Sequence, residues 1–230
     1  VDLKFIRDEK NEFQIVRKQG KGPLYFSIQA KYFSLEEPVT PAGTGIFLRR
    51  QYYKLVGRPT LLKGQVYDRI PLNDGDSVLS GERIETLITL EAKNNTEYLV
   101  IEDLKPAGFE SVKIQSGESL YARELKSSAL NRKLEKSRKA LSGESIENVA
   151  SDYTGRSRWV YQELRDRKLA MFIDKLPEGI WEIRTTLRAE VPGKFHALPV
   201  LGHAMYIPEI RANGKEIRLT VQDREYNEGR

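Results

Sequence analysis

The sequence predicts an all-β protein, an antiparallel β-sandwich interrupted by a partly helical basic insertion at about residues 116–157. Three observations predict it. Apolar and polar residues alternate with period two along many short runs, most clearly Arg83 to Ala92 and Trp181 to Glu190. Clusters of Gly, Pro, Asn and Asp separate those runs at regular intervals. One segment, Glu118 to Leu141, has instead the Leu, Ala, Lys, Arg and Glu content of a helix, with no Pro or Gly.

In chain order, residues 1–34 read as two or three strands. Leu3 and Phe5 begin one, Phe13 to Arg17 alternates as a second, and Leu24 to Phe33 has apolar residues on both faces. Gly20-Lys21-Gly22-Pro23 is a turn. It lacks the glycine spacing and the Lys-Ser/Thr ending of a phosphate loop. The Pro- and Gly-containing stretch from Glu36 to Gly45 has linker composition, which sets a candidate boundary between residues 1–43 and 44–230. Ile46 to Leu55 and Val66 to Ile70 follow as strands. Asn73-Asp74-Gly75-Asp76 is turn chemistry without the spaced pattern and distal glutamate of a calcium loop.

Arg83 to Ala92 presents Ile84, Thr86, Ile88, Leu90 and Ala92 on one face. Asn94-Asn95-Thr96 turns the chain, and Glu97 to Leu104 returns as the expected hairpin partner. The insertion comes next, with Leu130, Leu134 and Leu141 at helical spacing and a basic run from Arg123 to Lys139. Strands resume at Trp159 to Arg165, Leu169 to Ile173 and Trp181 to Glu190. In the last of these, Trp181, Ile183, Thr185, Leu187 and Ala189 alternate with charged and polar residues. Two extended segments then flank a loop. Pro192-Gly193 and Pro199 break the ladder, and Pro208 keeps Ile207 extended. Met205 and Tyr206 sit on that loop. Two large side chains there either plug the end of the sandwich core or are displayed against another domain. Asn213-Gly214 is a tight-turn signal before a last strand, Glu216 to Val221.

Composition bounds the function. Hydrophobic residues make up 39% of 230 and charged residues 31%, enough for a core and a solvated surface. The longest apolar run, Leu169 to Ile173, is far too short to span a bilayer, and no signal peptide opens the sequence. Val1 is not an initiator methionine, so the chain reads as a fragment with any targeting signal upstream. Without cysteine there are no disulfides, no thiol catalysis and no cysteine-held metal within these residues. The net charge of +5 comes from 38 basic and 33 acidic residues interspersed, which reads as ordinary surface. Aromatic residues for base stacking are nearly absent from the basic segment, so no nucleic-acid partner is expected.

The sequence carries no recognisable active-site motif. His196 and His203 stand seven apart in a strand-and-turn region, unlike the helical pair of a zinc site, so no metal and no cofactor are expected. No serine sits in a nucleophile elbow. Glu102 and Asp103 are neighbours on a strand, point to opposite faces and cannot flank one bond; they read as edge charges or turn acceptors. No catalytic residue is assigned, and the chain reads as a β-domain that works by contact.

Four stretches, taken together and in order, resemble one family. Tyr98 to Glu110 (Tyr-Leu-Val-Ile-Glu-Asp-Leu-Lys-Pro-Ala-Gly-Phe-Glu) resembles the valine-rich strand, Glu-Asp and Pro-Ala-Gly signature of the C-terminal domain of bacterial alpha-2-macroglobulins. Leu176 to Gly179 with Arg188 to Phe195 resembles that domain's later hairpin. Ala204-Met205-Tyr206-Ile207-Pro208-Glu209-Ile210 resembles its terminal loop and strand. Gly20 to Phe26 resembles the strand returning after the thioester domain. The resemblance spans the chain except 116–157, an insertion that departs from the family's usual pattern.

The resemblance implies a macroglobulin-like β-sandwich over 44–230, with 1–43 the tail of the preceding CUB-like or macroglobulin domain. It implies a non-catalytic part of a bacterial, periplasmic or cell-surface protease trap, attached to a membrane only through an anchor elsewhere in the parent. Its partners would be the helical thioester domain of the same parent and, through the parent, target proteases. It further implies that Met205 and Tyr206 shield the thioester, since an electrophilic bond survives only where water is excluded. The alternative from residue pattern is an adhesion or carbohydrate-binding sandwich, which expects exposed aromatic residues on one face, Trp159 and Tyr161 among them.

Overall fold

A computed structural model describes residues 12, 14–26, 39–61, 64–112, 120–126 and 157–224. The chain divides into two compact units, 1–34 and 35–230. In the first, residues 14–26 carry no strand, which corrects the alternation read over Gln14 to Arg17. Its side chains there are exposed, so no buried face enforces the period-two pattern. Gly20 and Gly22 both have positive φ, and the Arg17 guanidinium donates to the Gly22 and Pro23 carbonyls, which closes the expected turn. The reading of Leu3, Phe5 and most of Leu24 to Phe33 lies outside the described residues.

The second unit is all β, and no helix occurs among its described residues. Its strands are β1 (Ala42–Thr44), β2 (Ile46–Thr60), β3 (Gly64–Leu72), β4 (Ser77–Leu79), β5 (Arg83–Ala92), β6 (Thr96–Leu104), β7 (Phe109–Ser111), β8 (Leu120–Lys126), β9 (Ser157–Leu164), β10 (Lys168–Leu176), β11 (Gly179–Ala189), β12 (Gly193–Ala197), β13 (Leu201–Ala204), β14 (Arg211–Asn213) and β15 (Ile217–Gln222).

One long sheet runs β1-β14-β13-β6-β10-β9-β8-β11-β5-β2-β3, with β7 on the end of β11, and a small sheet runs β12-β15-β4. All pairs are antiparallel except β15 with β4. The long sheet folds over itself at β9. The first half of β9 pairs with β8 (Leu120 opposite Val160), and its second half pairs with β10 (Tyr161 opposite Phe172). The two layers so formed enclose the main core, which joins Ile46, Leu48, Ile88, Leu90 and Trp181 of one layer to Leu99, Ile101, Met171 and Ile173 of the other. The upper parts of β2, β5 and β11 extend past this core. Their Tyr52, Ile84, Leu187 and Ala189 pack on Val78, Ala197, Leu219 and Val221 around the small sheet. The sandwich architecture expected from the alternation is present, with two cores side by side.

Three local expectations are corrected. β5 and β6 do not form a hairpin: β5 lies between β2 and β11, and β6 lies between β10 and β13. Each has an apolar inner face, so Asn94-Asn95 carries the chain between layers. Asn95 Oδ1 accepts the Glu178 N–H at 3.0 Å, and the Thr96 hydroxyl donates to the Asn94 carbonyl. Leu120 to Lys126 is a strand, where helical composition predicts helix. Leu120 and Ala122 are buried and Tyr121, Arg123 and Leu125 exposed, so pairing with β9 and β11 overrides propensity. The rest of the expected helix lies outside the described residues. Asn213-Gly214 does not join paired strands, since β14 and β15 belong to different sheets. A Cβ on Gly214 would fall 2.6 Å from Val200 Cγ1, so close packing calls for glycine there.

Asp103 is not an edge charge. The inward positions of β2 read Ile46, Leu48, Arg50, Tyr52, which sets Arg50 on the buried face between the two cores. Its Nη1 donates to Asp103 Oδ1 at 2.7 Å, with side-chain exposures of 0% and 2%. Its Nη2 donates to the carbonyls of Ala197 (3.1 Å) and Leu198 (2.7 Å), where β12 ends. Burial opposes the Arg50 charge, yet the charge of Asp103 and its hydrogen bond favour it, and the Arg50 pKa lies above the ordinary arginine value. Burial likewise pushes the Tyr52 hydroxyl far up, so it stays neutral. Glu102, by contrast, pairs with Lys168 at a partly exposed position.

On the outer face of β5 and β11, Glu85 accepts from Arg69 at 2.9 Å and lies 3.5 Å from Arg184, which also pairs with Glu182. Burial raises the Glu85 pKa; Arg69 opposes the rise and Glu182 adds to it. A carboxyl raised on folding is destabilising when charged, and that penalty fades as pH falls through its folded value towards the unfolded one. Glu85→Gln is therefore expected to gain stability relative to wild type at pH 7, and less near pH 4. Urea midpoints of both proteins across that range check it. A stability difference that widens on acidification contradicts the assignment.

Candidate functional site

The site is built on the loop between β13 and β14. Pro208 sits second in the turn Ile207–Ile210, which is closed by the Ile210 N–H donating to the Ile207 carbonyl at 2.9 Å. The Ala204 N–H donates to the Ile210 carbonyl, and the Met205 N–H donates across to the Tyr98 carbonyl, both at 2.9 Å. Ile210 packs on the main core and anchors the returning chain. With its backbone fixed at both ends, the loop presents Met205, Tyr206 and Ile207 outward, at 50%, 73% and 51% exposure. The core-plug reading of Met205 and Tyr206 is thereby overturned. Leu99, Ile101 and Val200 already fill the nearby interior, and the loop side chains stand outside it.

Tyr206 packs edge-on against Tyr98, with centroids 5.1 Å apart and rings at 88°. Tyr98 is itself unusual. Its φ of +51° is the left-handed conformation, costly for a bulky residue, and it is the non-glycine residue with positive φ among those described. The strain turns the β6 backbone at the point where its carbonyl receives Met205. Sequence reasoning missed Tyr98 because nothing in Glu97-Tyr98-Leu99 signals a left-handed residue.

A second exposed surface lies on the outer face of the same layer. Trp159 and Tyr161 are 53% and 52% exposed. Their rings stand 6.0 Å apart, and Tyr161 stands 5.8 Å from Phe172. Tyr121 lies opposite Trp159 in the β8–β9 register. In register, Phe172 stands opposite the buried Val100, and Val100 opposite His203 on β13, two residues before Met205.

The remaining candidates do not converge among the described residues. His196 is on β12, where its Nε2 lies 3.0 Å from Glu216 Oε2, whereas His203 is on β13 in the other sheet, so the two do not converge. Asp74 and Asp76 accept the backbone N–H groups of Arg218 and Asn73, both at 2.7 Å, in turn-closing roles. No group of three or more metal-binding side chains occurs among the described residues. A groove of about 640 Å³ beside β2 is lined by Phe47, Arg49, Asn73, Glu91, Lys215 and Ile217, without a convergent catalytic set.

The arrangement is therefore an exposed apolar surface held on a pinned loop. Comparison with known structures agrees with the fold. The native alpha-2-macroglobulin of Escherichia coli, solved from domain MG7 to the C-terminus, is similar at 20% identity and TM-score 0.52, covering 83% of this chain and 25% of that one. The native conformation of the same E. coli protein solved by cryo-EM gives 20% identity and TM-score 0.51, covering 83% and 10%. The E. coli protein activated by porcine elastase gives 19% and 0.51, covering 82% and 14%. The chain thus spans a quarter or less of these structures. The sequence has no significant match among curated proteins. It does match the family described as Bacterial Alpha-2-macroglobulin MG10 domain over residues 45–209, from the start of β2 through the presented loop. That match takes in both layers of the sandwich and Met205–Tyr206, and on it the chain belongs to the bacterial alpha-2-macroglobulin MG10 domain family.

Proposed function

We propose that this chain is a non-catalytic domain of a bacterial protease trap, and that its 205–207 loop packs on the thioester domain of a longer parent chain and shields the reactive bond. The observation that carries the reading is the outward display of Met205 and Tyr206 on a backbone fixed by hydrogen bonds to Tyr98 and Ile210. A loop built that way exposes apolar area that a partner surface can cover, and a thioether beside an aromatic ring is an adaptable lid. Residues 1–43 belong on this reading to the preceding domain, and the parent works in the periplasm or at the cell surface. The E. coli alpha-2-macroglobulin is activated by porcine elastase, which supports a protease as the target of this chain's parent.

The test uses the parent protein with methylamine and intact mass. Slow adduct formation in wild type and formation at least tenfold faster in Met205→Ala/Tyr206→Ala is the expected result. An adduct forming at equal rates in both proteins would sink the shielding role.

A second reading, a carbohydrate-binding sandwich, is favoured by the exposed Trp159 and Tyr161 rings beside the partly buried Phe172, since sugar rings stack on such side chains. It expects glycan-array binding that is lost in Trp159→Ala/Tyr161→Ala.

A further inference from the structure

The chain holds two methionines and no cysteine, and the two methionines occupy opposite environments. Met171 on β10 has no exposed surface and sits in the main core, whereas Met205 is half exposed. Met205 is therefore the accessible sulfur of this chain taken by itself, and in the parent a peroxide reaches it only when the contact proposed above opens. Its backbone cannot withdraw it, because its own N–H is bonded to the Tyr98 carbonyl and the turn at Ile207–Ile210 holds the far side. Tyr206 and Ile207 beside it are also exposed, so the thioether stands within an apolar surface.

We propose that Met205 is a site of reversible oxidation, and that its sulfoxide loosens the contact this loop makes. The second half rests on the shielding role proposed above. The oxidant is a peroxide. The sulfur lone pair attacks one peroxide oxygen, the O–O bond breaks and an S–O bond forms. The proton of the transferred oxygen passes to the departing hydroxide, which leaves as water. Sulfur is oxidised by two electrons and the peroxide is reduced by two. The product is polar and chiral, and a methionine sulfoxide reductase returns it to the thioether, with two thiols oxidised to a disulfide and the oxygen released as water. Its new oxygen is a strong acceptor, and pressing it against an apolar partner surface without a donor is unfavourable. The closed contact then loses population, and the covered bond meets water and amines more often.

The test has two arms. In the first, this chain is treated with hydrogen peroxide under native conditions, and its peptides are mapped by mass. One added oxygen is expected at Met205 well before Met171, with the difference abolished in urea. Oxidation of Met171 first, or of both at one rate under native conditions, overturns the site. In the second arm, the parent protein is exposed to methylamine with and without peroxide pretreatment. Wild type is expected to incorporate amine about tenfold faster after treatment. Met205→Leu, which has no oxidisable sulfur there, is expected to show a treated-to-untreated ratio near one, whatever its untreated rate. Sulfoxide present at Met205 with the wild-type rate unchanged overturns the loosening, and so does a treated parent in which Met205 stays unoxidised because the covered loop excludes peroxide. Absence of any adduct in every sample means the shielding reading has failed and removes the loosening with it, leaving the oxidation site to be decided by the peptide map.

Discussion

Asp103→Ala is expected to destabilise the domain by about 3–5 kcal/mol, because removing one partner of a buried ion pair strands the other. For a chain of this size that is a fall in melting temperature of roughly 6–20 °C. Arg50 keeps its bonds to the Ala197 and Leu198 carbonyls, but these are dipoles and do not neutralise a guanidinium. The informative companion is Arg50→Met/Asp103→Leu, which removes both charges and fills the space. Replacing a buried pair by apolar residues is often neutral or stabilising, but here it also takes the donor from the Ala197 and Leu198 carbonyls, so the double variant is expected between Asp103→Ala and wild type. Calorimetry on the three proteins checks it. A loss under about 1 kcal/mol for Asp103→Ala, the range of exposed pairs, would mean that water reaches Arg50.

Trp181→Ala is expected to be comparably severe, at about 3–5 kcal/mol. Trp181 is the largest fully buried side chain among the described residues; it sits on β11 in the main core, and its Nε1–H donates to the Pro177 carbonyl at 2.9 Å. Trp181→Phe retains most of the ring volume but loses that donor, and it is expected to cost clearly less. Urea denaturation with an unchanged slope would assign both losses to the native packing. Equal losses for the two substitutions would place the energy in the hydrogen bond and not in the ring.

The period-two runs at Arg83 to Ala92 and Trp181 to Glu190 made the layers legible, because a half-buried strand must alternate. Strand partners were not legible from those runs. Asn94-Asn95 has the composition of a hairpin turn, yet a crossing between layers uses the same residues. Leu120 to Lys126 showed the opposite failure. Its residue types favour helix, and only burial of Leu120 and Ala122 against distant strands selects the extended form. Arg50 could have been found. It occupies the inward phase of Ile46, Leu48 and Tyr52, and a charge at a core position demands a buried counter-charge; Asp103 follows the apolar Leu99, Val100 and Ile101. Met205 and Tyr206 were singled out by their position among prolines, but residue type could not decide between inside and outside. That choice was made by the ladder that fixes Met205 to Tyr98 and by a core already filled.

The pairing of β8 with β9 places Arg123 opposite Ser157. The ladder thus holds Ser157 beside Arg123, three residues before Lys126, where β8 ends. Lengthening a loop whose ends are already held together adds only about 0.6 kcal/mol per doubling. The junction between β8 and β9 is in effect a port. A fluorescent protein, an affinity tag or a second binding module can be spliced between Lys126 and Ser157 while the sandwich and the loop at Met205 keep their geometry.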